Sequence, residues 1–319
     1  MSRIYEALKK AGFEATAIST PAEVHLPETQ PNVSQDEDLV NLAEIGLPRR
    51  PEIPPSTSLR FVDIKEKCTR SDWRPDPQTN VFANPSQDPE AAEQFRTLRS
   101  RLYHLRSQNP LRVILITSPL SGDGKTLTST NLAQAIVRQA DQRVLLIDAD
   151  LRSSRLHIAL GALHEPGLCE YLGGKVDEIA VIQRGQEDGL YFIAGGKAAS
   201  NASELLSNGR LKRLIQRTTP CFDWIIIDSP PCVPVADASV IAGLCDGTLL
   251  VVRAGSTPLS AARKACQELQ NRKLIGVVLN AVDEKTLTYS SYRGRGVYGE
   301  VTSDDSILKL QTVTEKKDA

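Results

Sequence analysis

The stretch Ser118-Pro-Leu-Ser-Gly-Asp-Gly-Lys125-Thr126 constrains the fold of this chain more than any other. It follows the apolar run Val113-Ile-Leu-Ile-Thr117 and opens into Leu127-Thr-Ser-Thr-Asn-Leu-Ala-Gln-Ala-Ile-Val137, which reads as a helix. Strand, glycine loop and helix in that order are the context a P-loop requires. Gly122 and Gly124 let backbone N–H groups close around phosphate oxygens with no side chain in the way. The helix N-terminus adds the positive end of its dipole. Ser121, Gly122, Asp123, Gly124, Lys125, Thr126 and Leu127 are therefore the expected nucleotide-binding residues. Lys125 would reach the outer phosphates, and the Thr126 hydroxyl would ligate Mg²⁺. One departure is visible: Pro119 stands where the motif has a glycine.

From Leu111 onward the pattern alternates. Strands are expected over 112–117, 143–148, 189–194, 224–228, 247–253 and 274–279, and helices over 125–139, 204–217, 235–244 and 258–271. Runs such as Val144-Leu-Leu-Ile and Trp224-Ile-Ile-Ile are continuously apolar, as in strands covered on both faces. Alternation of this kind implies an α/β P-loop NTPase fold, a mainly parallel sheet with helices on both faces. Ligands in such folds sit beyond the carboxyl ends of the strands. There the sequence places Asp148 and Asp150, separated by Ala149, and, after another strand, Asp228. Beside a P-loop, carboxylates at strand ends serve the nucleotide's metal, so Thr126, Asp148 and Asp228 are the candidate metal residues. Asp150 is placed to orient an attacking nucleophile, either water or a hydroxyl.

The remainder of the chain reads differently. Residues 1–13 suggest a short helix with Ile4, Tyr5, Leu8 and Ala11 on one face. Eleven of the nineteen prolines lie between Pro21 and Pro89, and no apolar period survives there, so 14–88 reads as a flexible linker in which Trp73 and Phe82 are candidates for local packing on the domain. The P-loop domain is expected over 89–283, starting with a helix whose stripe is Phe95, Leu98, Leu102 and Leu105. Glu93, Arg96 and Arg99 recur at intervals of three on a neighbouring face. Residues 284–319 read as a flexible tail in which Tyr289, Tyr292 and Tyr298 are interleaved with Ser, Gly and Arg. The charges nearly cancel at a net of -1, which gives no footprint for nucleic acid. No apolar run is long enough to span a membrane, the start lacks the core of a signal peptide, and the six cysteines show no paired spacing. A cytoplasmic location is expected.

Taken together, Ser118–Thr126, Leu145–Arg152, Ile225–Pro231 and the tyrosine-bearing tail resemble the bacterial tyrosine kinases, the autokinases of capsule and exopolysaccharide production. The opening Met-Ser-Arg-Ile-Tyr-Glu-Ala-Leu is similar to the start of free-standing members. The resemblance implies ATP and Mg²⁺ as cofactors, with Lys125, Asp148 and Asp150 catalytic and Asp150 activating the tyrosine. It implies phosphorylation of Tyr289, Tyr292 and Tyr298 by a neighbouring copy. It implies a ring-like homo-oligomer joined through Glu93, Arg96 and Arg99. It also implies a membrane-bound activator that holds the chain at the inner face of the plasma membrane, and an opposing tyrosine phosphatase. The rival is a nucleotide-switched scaffold of the partitioning-ATPase kind that hydrolyses ATP and phosphorylates no protein. Those ATPases carry an early P-loop lysine where this chain has Leu120, which favours the kinase.

Overall fold

The computed structural model describes residues 59–83, 88–270, 272–282 and 307–309. The N-terminal helix expected over 1–13 and the tail tyrosines lie outside them. In chain order the elements are α1 (Phe61–Lys67), β1 (Thr69–Arg70), α2 (Pro89–Gln108), β2 (Val113–Thr117), α3 (Lys125–Val137) and β3 (Val144–Asp148). Then come α4 (Leu156–Leu160), α5 (Leu168–Leu172), α6 (Glu178–Val181), β4 (Gln183–Arg184), β5 (Leu190–Ile193), α7 (Ala202–Ser207) and α8 (Arg210–Thr218). The last are β6 (Trp224–Asp228), α9 (Asp237–Ala242), β7 (Gly247–Arg253), α10 (Leu259–Glu268), β8 (Leu274–Asn280) and β9 (Ile307–Lys309).

The strands form one sheet in the order β1-β4-β5-β3-β6-β2-β7-β8-β9. Every pairing is parallel except β4 with β5. Side chains alternate across the sheet and feed two separate cores. Along β6, Ile225 and Ile227 enter one core with Ile64, Tyr171, Leu214 and Ile241. Trp224 and Ile226 enter the other with Phe95, Leu98, Leu132 and Leu156. Helices on both faces thus make each central strand apolar throughout. Each fully buried aliphatic side chain contributes roughly 1.5–3 kcal/mol before chain entropy is counted.

Two expectations change. Residues 59–83, read as linker apart from local packing of Trp73 and Phe82, are packed on the domain over their length. Ile64 is fully buried, and Trp73 and Phe82 are 5% and 4% exposed. Asn131 of α3 stitches the segment down, accepting from the Val81 N–H at 2.8 Å and donating to the Thr79 carbonyl at 2.8 Å. Proline forbids regular hydrogen bonding but not burial, and isolated anchors leave no period to read. The helix expected over 204–217 is two helices, α7 and α8. Gly209 separates them at φ +84°, a left-handed conformation that glycine adopts without strain. At the far edge β9 adds a strand within the stretch read as tail.

Candidate active site

The P-loop leaves β2 in the centre of the sheet, with β6 on one side and β7 on the other. Gly122 and Gly124 have φ of +88° and +99°, so both turns of the loop need a residue free of Cβ strain. A Cβ at Gly124 would also run into the Asn280 amide. The loop is braced from inside. The Asp123 carboxylate accepts the Leu120 N–H at 2.9 Å and the Thr257 hydroxyl at 2.6 Å. Its side chain therefore holds the loop's shape, and only its backbone remains for phosphate. Arg253, at the end of β7, donates to the Gly122 carbonyl at 3.2 Å.

The expected acidic residues converge on α3. Asp148 and Asp228 are register partners on adjacent strands, both essentially without solvent contact. Thr126 donates to Asp228 at 2.7 Å and Ser129 does so at 3.0 Å. Asp148 accepts from the Ser154 hydroxyl at 2.7 Å and from the Arg155 and Leu156 N–H groups at 3.1 Å. Burial pushes both carboxyls above the usual carboxylate range. For Asp228, the Asp148 charge adds to that rise and Lys125 opposes it. Lys125 is 9% exposed, and its Nζ stands 3.9 Å from Asp150 Oδ2. The other Asp150 oxygen accepts the Ser153 N–H at 3.0 Å.

This donor set fits a phosphate chain with a divalent cation. Two buried carboxylates side by side are unfavourable alone and favourable around a cation. The glycine cradle and Lys125 suit the phosphates, with Ser121 exposed at its mouth. Asn280 donates to the Asp123 carbonyl at 2.9 Å, and its buried Oδ1 has no partner, leaving an acceptor beside the cradle. Asn280, Ser129, Ser154 and Thr257 were not evident in the sequence as site residues. Asn280 carries one readable signal, its place at the carboxyl end of a parallel strand.

Of the expected interface triplet, Glu93 and Arg96 form an exposed ion pair at 2.9 Å on α2. Arg99 turns inward and donates to the Ala135 carbonyl of α3 at 2.6 Å. Among the described residues no helix is long and apolar enough to cross a membrane.

Residues 114–312 match the family described as the CobQ/CobB/MinD/ParA nucleotide binding domain. The chain is similar to tyrosine-protein kinase YwqD of Bacillus subtilis, 33% identical over 234 residues, covering 73% of this chain and 95% of that protein. It is similar to tyrosine-protein kinase CpsD of Streptococcus agalactiae, 36% identical over 211 residues, covering 65% and 90%. Among solved structures, the kinase domain of Escherichia coli tyrosine kinase ETK superposes with a TM-score of 0.58 at 28% identity, covering 80% of this chain and 88% of that one. With its P-loop, paired strand-end carboxylates and these relatives, the chain belongs to the bacterial tyrosine kinases, enzymes built on that nucleotide-binding domain.

Proposed function

We propose that this tyrosine kinase is an autokinase that uses Mg·ATP to phosphorylate Tyr289, Tyr292 and Tyr298 in the tail of a neighbouring copy. The observation that carries the reading is the separation of roles among three aspartates. All three are buried, but Asp148 and Asp228 are tied to the β3–α4 turn and to α3, while Asp150 stands beside Lys125 at 3.9 Å with one oxygen uncommitted to backbone. Lys125, Thr126, Asp148 and Asp228 would hold the nucleotide and its metal. Bound Mg·ATP supplies the phosphoryl group and stabilises the charge that moves during transfer. An incoming tyrosine, with an ordinary pKa of about 10, arrives protonated. Asp150 would orient the phenol through Oδ2 and take its proton as the phenol oxygen bonds the γ-phosphorus and ADP leaves. Because phosphoryl transfer proceeds through a loose transition state, positioning and charge neutralisation matter more than base strength.

The resemblance supports the wider setting: control of capsular and exopolysaccharide synthesis and export. The chain would sit at the inner face of the plasma membrane through a membrane-bound activator, opposed by a tyrosine phosphatase. Glu93 and Arg96 are exposed on α2 and available for ring contacts; Arg99 would act by fixing α2 on α3. Each phosphate adds about -1.5 to -2 charges. Around Arg293 and Arg295 several phosphates would make the tails repel one another and release the ring. The test is incubation of the purified chain with Mg·ATP, followed by mapping of modified residues by mass spectrometry. Phosphate on the tail tyrosines is expected; ATP turnover with an unmodified tail would overturn the autokinase reading.

A further inference from the structure

The turn that carries Asp150 is anchored from outside the nucleotide site. Arg152, two residues on, reaches away from the P-loop. Its Nε donates to Asp237 Oδ2 at 2.8 Å, and an Nη donates to Ser203 Oγ at 2.9 Å. Ser203 in turn donates to Asp237 Oδ1 at 2.5 Å. The three side chains close a ring of hydrogen bonds among the β3–α4 turn, the first turn of α7 and the first turn of α9. A second bond runs alongside, from the Ala199 N–H to the Leu151 carbonyl at 3.1 Å.

The Asp237 side chain is 1% exposed, so its charge depends on these partners. Burial pushes its carboxyl up, but the Arg152 and Ser203 bonds together pull it below the ordinary value. α9 is tied to the nucleotide site as well, because it follows the loop from Asp228, and Cys232 in that loop donates its N–H to the Ser118 carbonyl at 2.9 Å. Inside the turn, the Ser153 N–H bonds Asp150 Oδ1, which leaves Oδ2 turned to Lys125. Moving Arg152 moves Ser153, and Ser153 sets which Asp150 oxygen is free.

We propose that Arg152, Ser203 and Asp237 form a clasp whose role in the reaction is to position Asp150 for the acceptor hydroxyl. They are positioning residues, none of them touching nucleotide or acceptor. The inference rests on the reading of Asp150 as the acceptor-orienting group. Arg152 suits the task because its planar fork holds both partners in one fixed geometry, which a lysine ammonium on a flexible stem does not impose. Ser203 is exposed as a residue, so its hydroxyl can be removed with little effect on packing.

The test uses the full chain with Mg·ATP and, as acceptor, the Lys125→Met chain, whose own transfer is disabled. Ser203→Ala and Arg152→Lys are each made in the parent and in Asp150→Asn. In the parent, each should lower kcat for transfer by roughly 10- to 100-fold, the usual consequence of misplacing a reacting group, with ATP affinity within about twofold. In the Asp150→Asn background neither should lower transfer further, because the group they position is already gone. The same proportional loss in both backgrounds would overturn the clasp, as would an unchanged kcat for both variants in the parent. Asp150→Asn at the parent rate is a separate outcome: it overturns the reading of Asp150, and the clasp with it.

Discussion

Thr126 Oγ1 lies 2.7 Å from Asp228 Oδ2, so the first turn of α3 is hydrogen-bonded to the end of β6. In the free protein the hydroxyl relieves one of two neighbouring buried carboxylates. With a metal bound, both groups can become ligands without moving far. Thr126→Ala should therefore lower ATP affinity by on the order of 10–100-fold in Mg²⁺, and leave parent and variant within about twofold in EDTA. Calorimetric titration under both conditions checks this; equal losses with and without Mg²⁺ would remove Thr126 from the metal.

Lys125→Met and Gly124→Ala should both abolish nucleotide binding, for different reasons. The first removes the charge that meets the phosphates. The second adds a Cβ at φ +99° against the Asn280 amide. A fluorescent ATP analogue measures both, and parental binding by either variant would contradict the cradle.

Trp73→Ala tests whether 59–83 belongs to the domain. The indole packs edge-on to Phe192 at 6.1 Å and covers Gly185. Its loss should cost about 3–5 kcal/mol in urea unfolding, the range for truncating a buried aromatic. A cost under about 1 kcal/mol would return the segment to the linker.

Arg96→Ala and Arg99→Ala should separate assembly from stability. Arg96 sits in an exposed pair, and such pairs contribute little to folding, so its loss should shrink the oligomer at constant melting temperature. Arg99→Ala removes a charged donor from the last turn of α3 and should lower the melting temperature by several degrees. Light scattering and thermal melts distinguish the two; an unchanged mass for Arg96→Ala would exclude it from the interface.

Much of this molecule was legible because its strands are buried on both faces. Val144-Leu-Leu-Ile and Trp224-Ile-Ile-Ile announce themselves as apolar runs, and the aspartates that follow fall at the strand ends where chemistry collects. The P-loop is readable for a similar reason, since backbone geometry dictates its glycines. What escaped was held by tertiary contact. Trp73 and Phe82 stand out as lone aromatics, but Ile64 and α1 before them carry no period that marks them as buried. Gly209 breaks a helix whose apolar stripe runs on either side of it. Arg99 shares its spacing with Arg96 yet bonds the Ala135 carbonyl of α3 instead of pairing with a side chain on its own helix. The Arg152–Ser203–Asp237 contacts join residues far apart in sequence, and no local pattern marks them.

Asp150→Asn keeps the side chain's size and removes its charge, and so isolates the role of Asp150 in transfer. Nucleotide affinity and phosphotyrosine formation are measured on the same preparation. Mg·ATP binding should stay within a few-fold of the parent, and tail phosphorylation should fall by on the order of 10²–10⁴, the usual worth of a positioned general base. Parental phosphotyrosine yield from Asp150→Asn would contradict that role.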